Sequence, residues 1–159
     1  LSQFKITYPE KAFCLQFVGS IFPNLKLELA NRNLIDDTKF SPYVPHSESI
    51  DYLEKASVLL VFGPLNKHGK EGGIPAKVYE YLAARKPILY VGKKDGFVAN
   101  IIHKTSSGLA HDNDTKDICQ HINDLYHKWE SGQGILTYNP AIMEYSRESQ
   151  AKAFANLLQ

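Results

Sequence analysis

The strongest constraint on the fold is the alternation of short apolar runs with helix-forming stretches. Four β-rich runs, Phe13 to Val18, Phe40 to Val44, Val58 to Phe62 and Pro87 to Val91, are each followed by polar, turn-forming or helical sequence, and a weaker run, Gly108 to His111, comes after them. Their apolar residues are consecutive rather than alternating, the pattern of strands buried on both faces. Helical patterns fill the intervals: Ser47 to Ala56 with Ile50, Leu53 and Ala56 along one side, Pro75 to Arg85, and Phe97 to Lys104 capped by Asp95. A long helix capped by Asp114 or Thr115 carries Ile118, Ile122 and Leu125 on one side, and the tail from Ser146 to Leu158 gives an amphipathic helix with Ala151, Phe154, Leu157 and Leu158. Strand and helix alternating in this way predict an α/β fold, a Rossmann-like doubly wound parallel sheet with helices on both faces.

A chain of 159 residues, 43% hydrophobic and 22% charged, buries one core of ordinary size, so residues 1–159 are expected to form one domain. With 18 Lys+Arg against 17 Asp+Glu, and no like-charge run longer than Lys93-Lys94, duplex nucleic acid and anionic membranes are excluded as electrostatic partners. Any anion must be held locally. Cys14 and Cys119 show no C-x-x-C spacing and are expected to be reduced, buried thiols. The sequence shows neither a bilayer-length apolar run nor a signal peptide, which predicts a cytoplasmic protein.

The longest stretch without predicted structure, Gly63 to Ile74, runs from the end of a central strand to the start of a helix, where open α/β sheets bind ligands. Pro75 suits the first helical position, which makes Ile74 the N-cap. Isoleucine has no side-chain acceptor, so the first-turn amides lack a cap, and Gly72 and Gly73 present further N–H groups unobstructed. That is an anion site. Lys77 stands in the turn where the helix dipole disfavours a cation, and a bound phosphate would reverse the sign. At about 100° per residue, Pro75, Val78, Tyr79 and Leu82 form the packing face, while Ala76, Lys77, Glu80 and Ala84 form the other. Glu80 then either pairs with Lys77 on a solvated face or accepts hydrogen bonds from the two hydroxyls of a ribose.

The order of Phe17-Val18-Gly19-Ser20, FSPYVPH from Phe40 to His46, Ala56-Ser57-Val58-Leu59-Leu60, IPAKVYEYLAARKPIL from Ile74 to Leu89, and Ser107-Gly108-Leu109 resembles the C-terminal donor-binding half of family 4-type nucleotide-sugar glycosyltransferases with the GT-B fold. The resemblance covers nearly the whole chain, and its most specific part is the Lys-x-x-Glu-Tyr-Leu-Ala pattern before Lys86-Pro87-Ile88. It implies that Glu80 binds the donor ribose, that Gly72 and Gly73 lie against the diphosphate and sugar, and that Lys77 lies near the phosphates and stabilises the leaving group. Val44, Pro45 and His46 would line the nucleobase through backbone groups; His46 reads equally as a surface histidine. The sequence departs from the family in two places. Eight residues rather than seven separate Glu71 from Glu80, which leaves Glu71 a contact to the donor sugar only if the loop adjusts. The strand and most of the helix that precede Phe13 in the family have no counterpart here, where only Leu1 to Ala12 precede it. In the order 3-2-1-4-5-6 that strand is central.

The resemblance therefore implies a sheet that is rearranged or completed by another chain, or else part of a two-domain enzyme of polysaccharide biosynthesis. It would move a hexose from a nucleoside diphosphate such as UDP to an acceptor held by an N-terminal domain, with retention, without a metal, with no cofactor beyond the donor, and inactive as this chain alone. Any peripheral membrane association would run through that other domain. The alternative is a non-catalytic Rossmann-like nucleotide-binding or scaffolding module. A nicotinamide-dependent oxidoreductase is disfavoured because no G-x-G-x-x-G follows the first strand. Asp112-Asn113-Asp114 matches the metal-binding D-x-D of another glycosyltransferase fold but reads as a turn and helix cap, and His121 and His127, six apart, have the wrong spacing for a metal pair. His68, within the glycine-rich loop, reads as solvated or as a closing contact to phosphate or sugar.

Overall fold

The computed structural model describes residues 1–63, 72–133 and 137–158. Its five strands are all parallel and form two sheets: β1 (Leu15–Val18) pairs with β2 (Thr38–Ser41), and β3 (Leu59–Phe62), β4 (Ile88–Val91) and β5 (Gly108–His111) lie side by side in that order. Seven α-helices connect or flank them: α1 (Ser2–Thr7), α2 (Leu25–Asn31), α3 (His46–Lys55), α4 (Lys77–Ala84), α5 (Phe97–Thr105), α6 (Thr115–Glu130) and α7 (Arg147–Asn156); a 3-10 helix, Pro140–Tyr145, lies before α7. Strand β2 begins and ends earlier than its apolar run, and its pairing with β1 closes where the Gly19 N–H donates to the Ser41 carbonyl at 3.0 Å.

Register separates the two faces of the three-stranded sheet. Val61, Tyr90 and Ala110 are aligned across β3, β4 and β5, and with Ile88 they bury against Val78 and Leu82 of α4, Val98, Ala99, Ile101 and Ile102 of α5, and Ile142. The opposite face carries Phe62, Val91 and His111 in one row, and α6 covers it at His111 through His121. Helices on both faces make the sheet doubly wound, as the alternation predicts.

The single continuous sheet does not form among the described residues. The N–H groups of Leu15 and Gly19 donate to Asp37 and Ser41 beside β1, and those of Leu59 and Gly63 to Pro87 and Val91 beside β3. Because ladder groups alternate along a strand, the N–H groups of Gln16 and Val18, and of Leu60 and Phe62, face the other edges. The break between β1 and β3 is where the order 3-2-1-4-5-6 places a further strand. It also explains the burial: β4 is buried almost throughout, whereas β1 and β3 alternate. Cys14, just before β1, is exposed and Cys119 is only half-buried, against the expectation of two buried thiols.

Helices join the two halves, α3 against α4 and α1 against α6. Phe4 of α1 is fully buried, its ring 6.2 Å from Tyr126 of α6 and 6.0 Å from Phe13. Lys11 fastens the same junction: its Nζ donates to Asn123 Oδ1 at 2.7 Å, lies 3.1 Å from His127 Nε2, and sits over the Tyr8 and Tyr126 rings. The amphipathic pattern expected for α3 and for the tail does not translate into docking, since neither α3 nor α7 has a buried residue. Asp95 does not cap α5, whose N-cap is Gly96; its carboxylate lies 3.4 Å from Lys93 Nζ instead. Among the described residues no helix is long and apolar enough to cross a membrane.

Candidate functional site

The helix that carries Lys77 and Glu80 starts later than Pro75 suggests. Its N-cap is Ala76, and the Pro75 and Ala76 carbonyls accept the Val78 and Tyr79 N–H groups at 3.0 and 3.1 Å. These tight local bonds take two amides that a capping anion would otherwise find free. The N–H groups of Gly73, Ile74, Ala76 and Lys77 have no partner among the described residues, and no side chain caps the helix. Gly73 has φ +109°, a conformation glycine adopts without strain, and a side chain there would meet open space.

Helix α4 turns the two faces as its periodicity predicts. Val78 and Leu82 are fully buried and Lys77 and Glu80 are exposed. Tyr79 is the exception on the packing face: it is 38% exposed, its ring 6.4 Å from Tyr145, while Tyr81 packs half-buried on the core. Burial and then the Glu80 charge push the Tyr81 hydroxyl above its ordinary value, so it stays neutral. Lys77 and Glu80 form no ion pair with each other or with any other described residue.

Val44 and Pro45 follow β2, and Pro45 is the N-cap of α3, its carbonyl accepting the Glu48 and Ser49 N–H groups at 3.0 Å. His46 is the first residue of that helix, exposed, rather than a loop residue. Since α3 follows β2, α4 follows β3 and the two helices pack together, their starts lie at the same, carboxyl, end of the strands. Glu71 and His68 lie outside the described residues.

That same end carries a crevice of about 470 Å³ lined by Phe62, Gly63, Val91, Gly92, Lys93, Asp112 and Asn113. None of Val44 to His46, and neither Lys77 nor Glu80, is in this lining. Its floor is fixed from below: a Cβ on either Gly63 or Gly92 would meet the Tyr90 hydroxyl at 2.5 Å, so the phenol needs two adjacent glycines. Sequence reading did not single out Phe62, Lys93 or Asn113 as site residues. The signal available was their position, just at or past the carboxyl ends of three neighbouring strands.

The model of the family described as glycosyl transferases, group 1, matches residues 9–139, which takes in every strand and the start of α4. The chain belongs to that family. No curated protein matches it.

In this group 1 glycosyltransferase, Asp114 caps α6, accepting the Lys116 and Asp117 N–H groups at 2.8 and 3.3 Å, which releases Asp112 and Asn113 to the crevice wall. Next to them His111 Nε2 and His121 Nδ1 meet at 2.9 Å, both rings buried. One nitrogen donates and the other accepts, so a proton on each facing nitrogen breaks the pair. Burial first and then His111 lower His121 to about 4, and burial also lowers His111; Asp117 and Asp114 beside His111, and Asp124 beside His121, oppose the shift, while Lys94 and Lys128 add to it. A histidine whose folded pKa is depressed stabilises the fold above the unfolded value of about 6.5, and that stability drains away as pH falls toward the folded value. The melting temperature is therefore expected to drop between pH 7 and pH 4.5, and to drop less in His121→Gln, measured by thermal melts at both pH values; equal slopes would contradict it.

Proposed function

We propose that this group 1 glycosyltransferase binds a nucleoside-diphosphate hexose across the starts of α3 and α4. The reading assigns the diphosphate to the Gly72-Gly73 turn and the amides before Lys77, the ribose to Glu80, and the nucleobase to the Val44-Pro45-His46 turn. Glu71, the residue before Gly72 in the sequence, would contact the sugar. As the glycosyl–oxygen bond breaks, negative charge grows on the departing diphosphate, and Lys77 with the helix-start amides stabilises it without a metal. The hexosyl group passes with retention to an acceptor held by another domain, so this chain alone binds donor and does not transfer. A cytoplasmic enzyme of polysaccharide assembly using a UDP-sugar fits this scheme.

The observation that supports the reading best is the combination at α4: an exposed cation and an exposed carboxylate one turn apart, neither paired among the described residues, beside amides without partners among them. An unpaired lysine in a first turn is unfavourable by a few tenths of a kcal/mol to about 1 kcal/mol unless an anion arrives. Lys77→Ala is thus expected to raise the stability of the free protein slightly while weakening UDP and GDP binding about 5- to 10-fold, and to flatten the salt dependence of that binding. Calorimetric titration with UDP, GDP and NAD tests the function itself. Binding of UDP or GDP and not NAD is expected; no binding of any nucleotide would leave a scaffolding module.

A further inference from the structure

We propose that the crevice at the carboxyl ends of β3, β4 and β5 is a hexose-recognition pocket, in which Asp112 and Asn113 read sugar hydroxyls and the Phe62 ring lies against an apolar sugar face. The proposal rests on the glycosyltransferase reading for its place in the reaction, and on the pocket's own chemistry for its ligand. At about 470 Å³ the crevice lies at the lower end of the size of small-molecule sites. Its polar groups are complementary to a polyol. Asp112 only accepts hydrogen bonds, whereas the Asn113 amide both donates and accepts, and each sugar hydroxyl does both.

Asp112 is held in place. Its Oδ1 accepts the Lys94 N–H at 3.2 Å and its Oδ2 lies 3.7 Å from Lys94 Nζ, leaving lone pairs on both oxygens for a ligand. The Asn113 side chain has no partner among the described residues. Phe62, a large ring at the end of β3, is 65% exposed, and it shares a face with Val91 across the register. Gly63 and Gly92 leave backbone rather than side chains at the floor. A carboxylate in the wall repels phosphate, and the two lysines beside it already face carboxylates, Lys93 Nζ 3.4 Å from Asp95 and Lys94 Nζ 3.7 Å from Asp112. The pocket thus suits a neutral sugar better than a nucleotide's phosphates. Sequence alone makes Asp112-Asn113 a turn; the fold puts that turn beside an aromatic ring from another strand.

The sugar has two sources, the hexosyl group of the donor or a saccharide acceptor, and the test separates them. UDP, GDP, UDP-glucose, GDP-mannose, free glucose and free mannose are titrated into the parent, Asn113→Ala, Asp112→Asn and Phe62→Ala proteins. Backbone amide shifts at Gly63, Gly92 and Asn113 report the crevice, and the spectra themselves report folding. At least one sugar-bearing probe is expected to shift these amides, and to bind about 5- to 10-fold more weakly to the Asn113 and Asp112 variants, with UDP and GDP unaffected. Loss confined to nucleotide sugars assigns the donor; loss confined to free hexose assigns an acceptor. Free hexose bound in the crevice with no nucleotide bound anywhere supports the pocket and removes the nucleotide reading. The proposal is overturned if no sugar-bearing probe shifts the crevice amides, if the variants bind every probe like the parent, or if UDP and GDP weaken as much as their sugars.

Discussion

Gly108→Ala is expected to be among the most destabilising single changes in the described fold. Gly108 opens β5 opposite Ile88, and a Cβ built there would overlap the Ile88 carbonyl and crowd its backbone nitrogen. The obstacle is backbone at the start of β4, not the flexible end of a side chain. Moving it would strain the bond in which Ile88 N–H donates to Ser107 at 2.8 Å and displace Ile88, which is fully buried in the core. The cost should reach or exceed the top of the range for overpacking, about 3 kcal/mol. For a chain of this size that corresponds to a fall of about 6–12 °C in melting temperature. Gly132→Ala is the comparison: its φ of +69° penalises any side chain, but nothing lies within 4 Å, so only the conformational cost applies. Thermal melts of both proteins separate the two causes. A Gly108→Ala protein melting within about 2 °C of the parent would show that β4 and β5 do not approach as described.

The parts of this fold that were legible in the sequence are those where one physical requirement dominated. Strand β4 is buried almost throughout because it has neighbours on both sides and helices on both faces, and its run Ile88-Leu89-Tyr90-Val91 shows that directly. Helix α4 was legible from its buried stripe, Val78 and Leu82, and α6 from its Asp114 cap. Boundaries failed where local chemistry competed with pattern. Pairing of β2 stopped at Ser41, before its apolar run did, and turn bonds through Pro75 and Ala76 delayed α4 past a proline suited to begin it. Helix α2 gave no stripe to find, since Leu29 is its only buried residue.

Site chemistry was legible along the chain and illegible across it. The Lys77–Glu80 face could be projected from one helix. His121 was weighed against His127 on the same helix, whereas its partner is His111, ten residues earlier and across the β5–α6 turn. The crevice likewise joins Phe62 to Asn113 through a strand that separates them, a relation only register and sheet order reveal.

The second large effect concerns Glu80, where the proposed function is most exposed. A carboxylate accepting hydrogen bonds from two ribose hydroxyls makes charge-assisted contacts of about 1.5–3 kcal/mol each. Glu80 is exposed and unpaired among the described residues, and it lies in the first turn of α4, where losing its charge costs only a few tenths of a kcal/mol of dipole interaction. Glu80→Ala should therefore fold and melt nearly as the parent does, yet bind nucleoside diphosphates about 100-fold more weakly or worse. Glu80→Gln keeps the shape and one acceptor, and should fall between the two. The most direct measurement is the dissociation constant of UDP and of GDP for parent and Glu80→Ala, taken at one salt concentration. The account predicts that whichever nucleotide the parent binds is lost by at least about tenfold in the variant; equal affinity in the two proteins would contradict the assignment of the ribose to Glu80 and with it the placing of the donor at the start of α4.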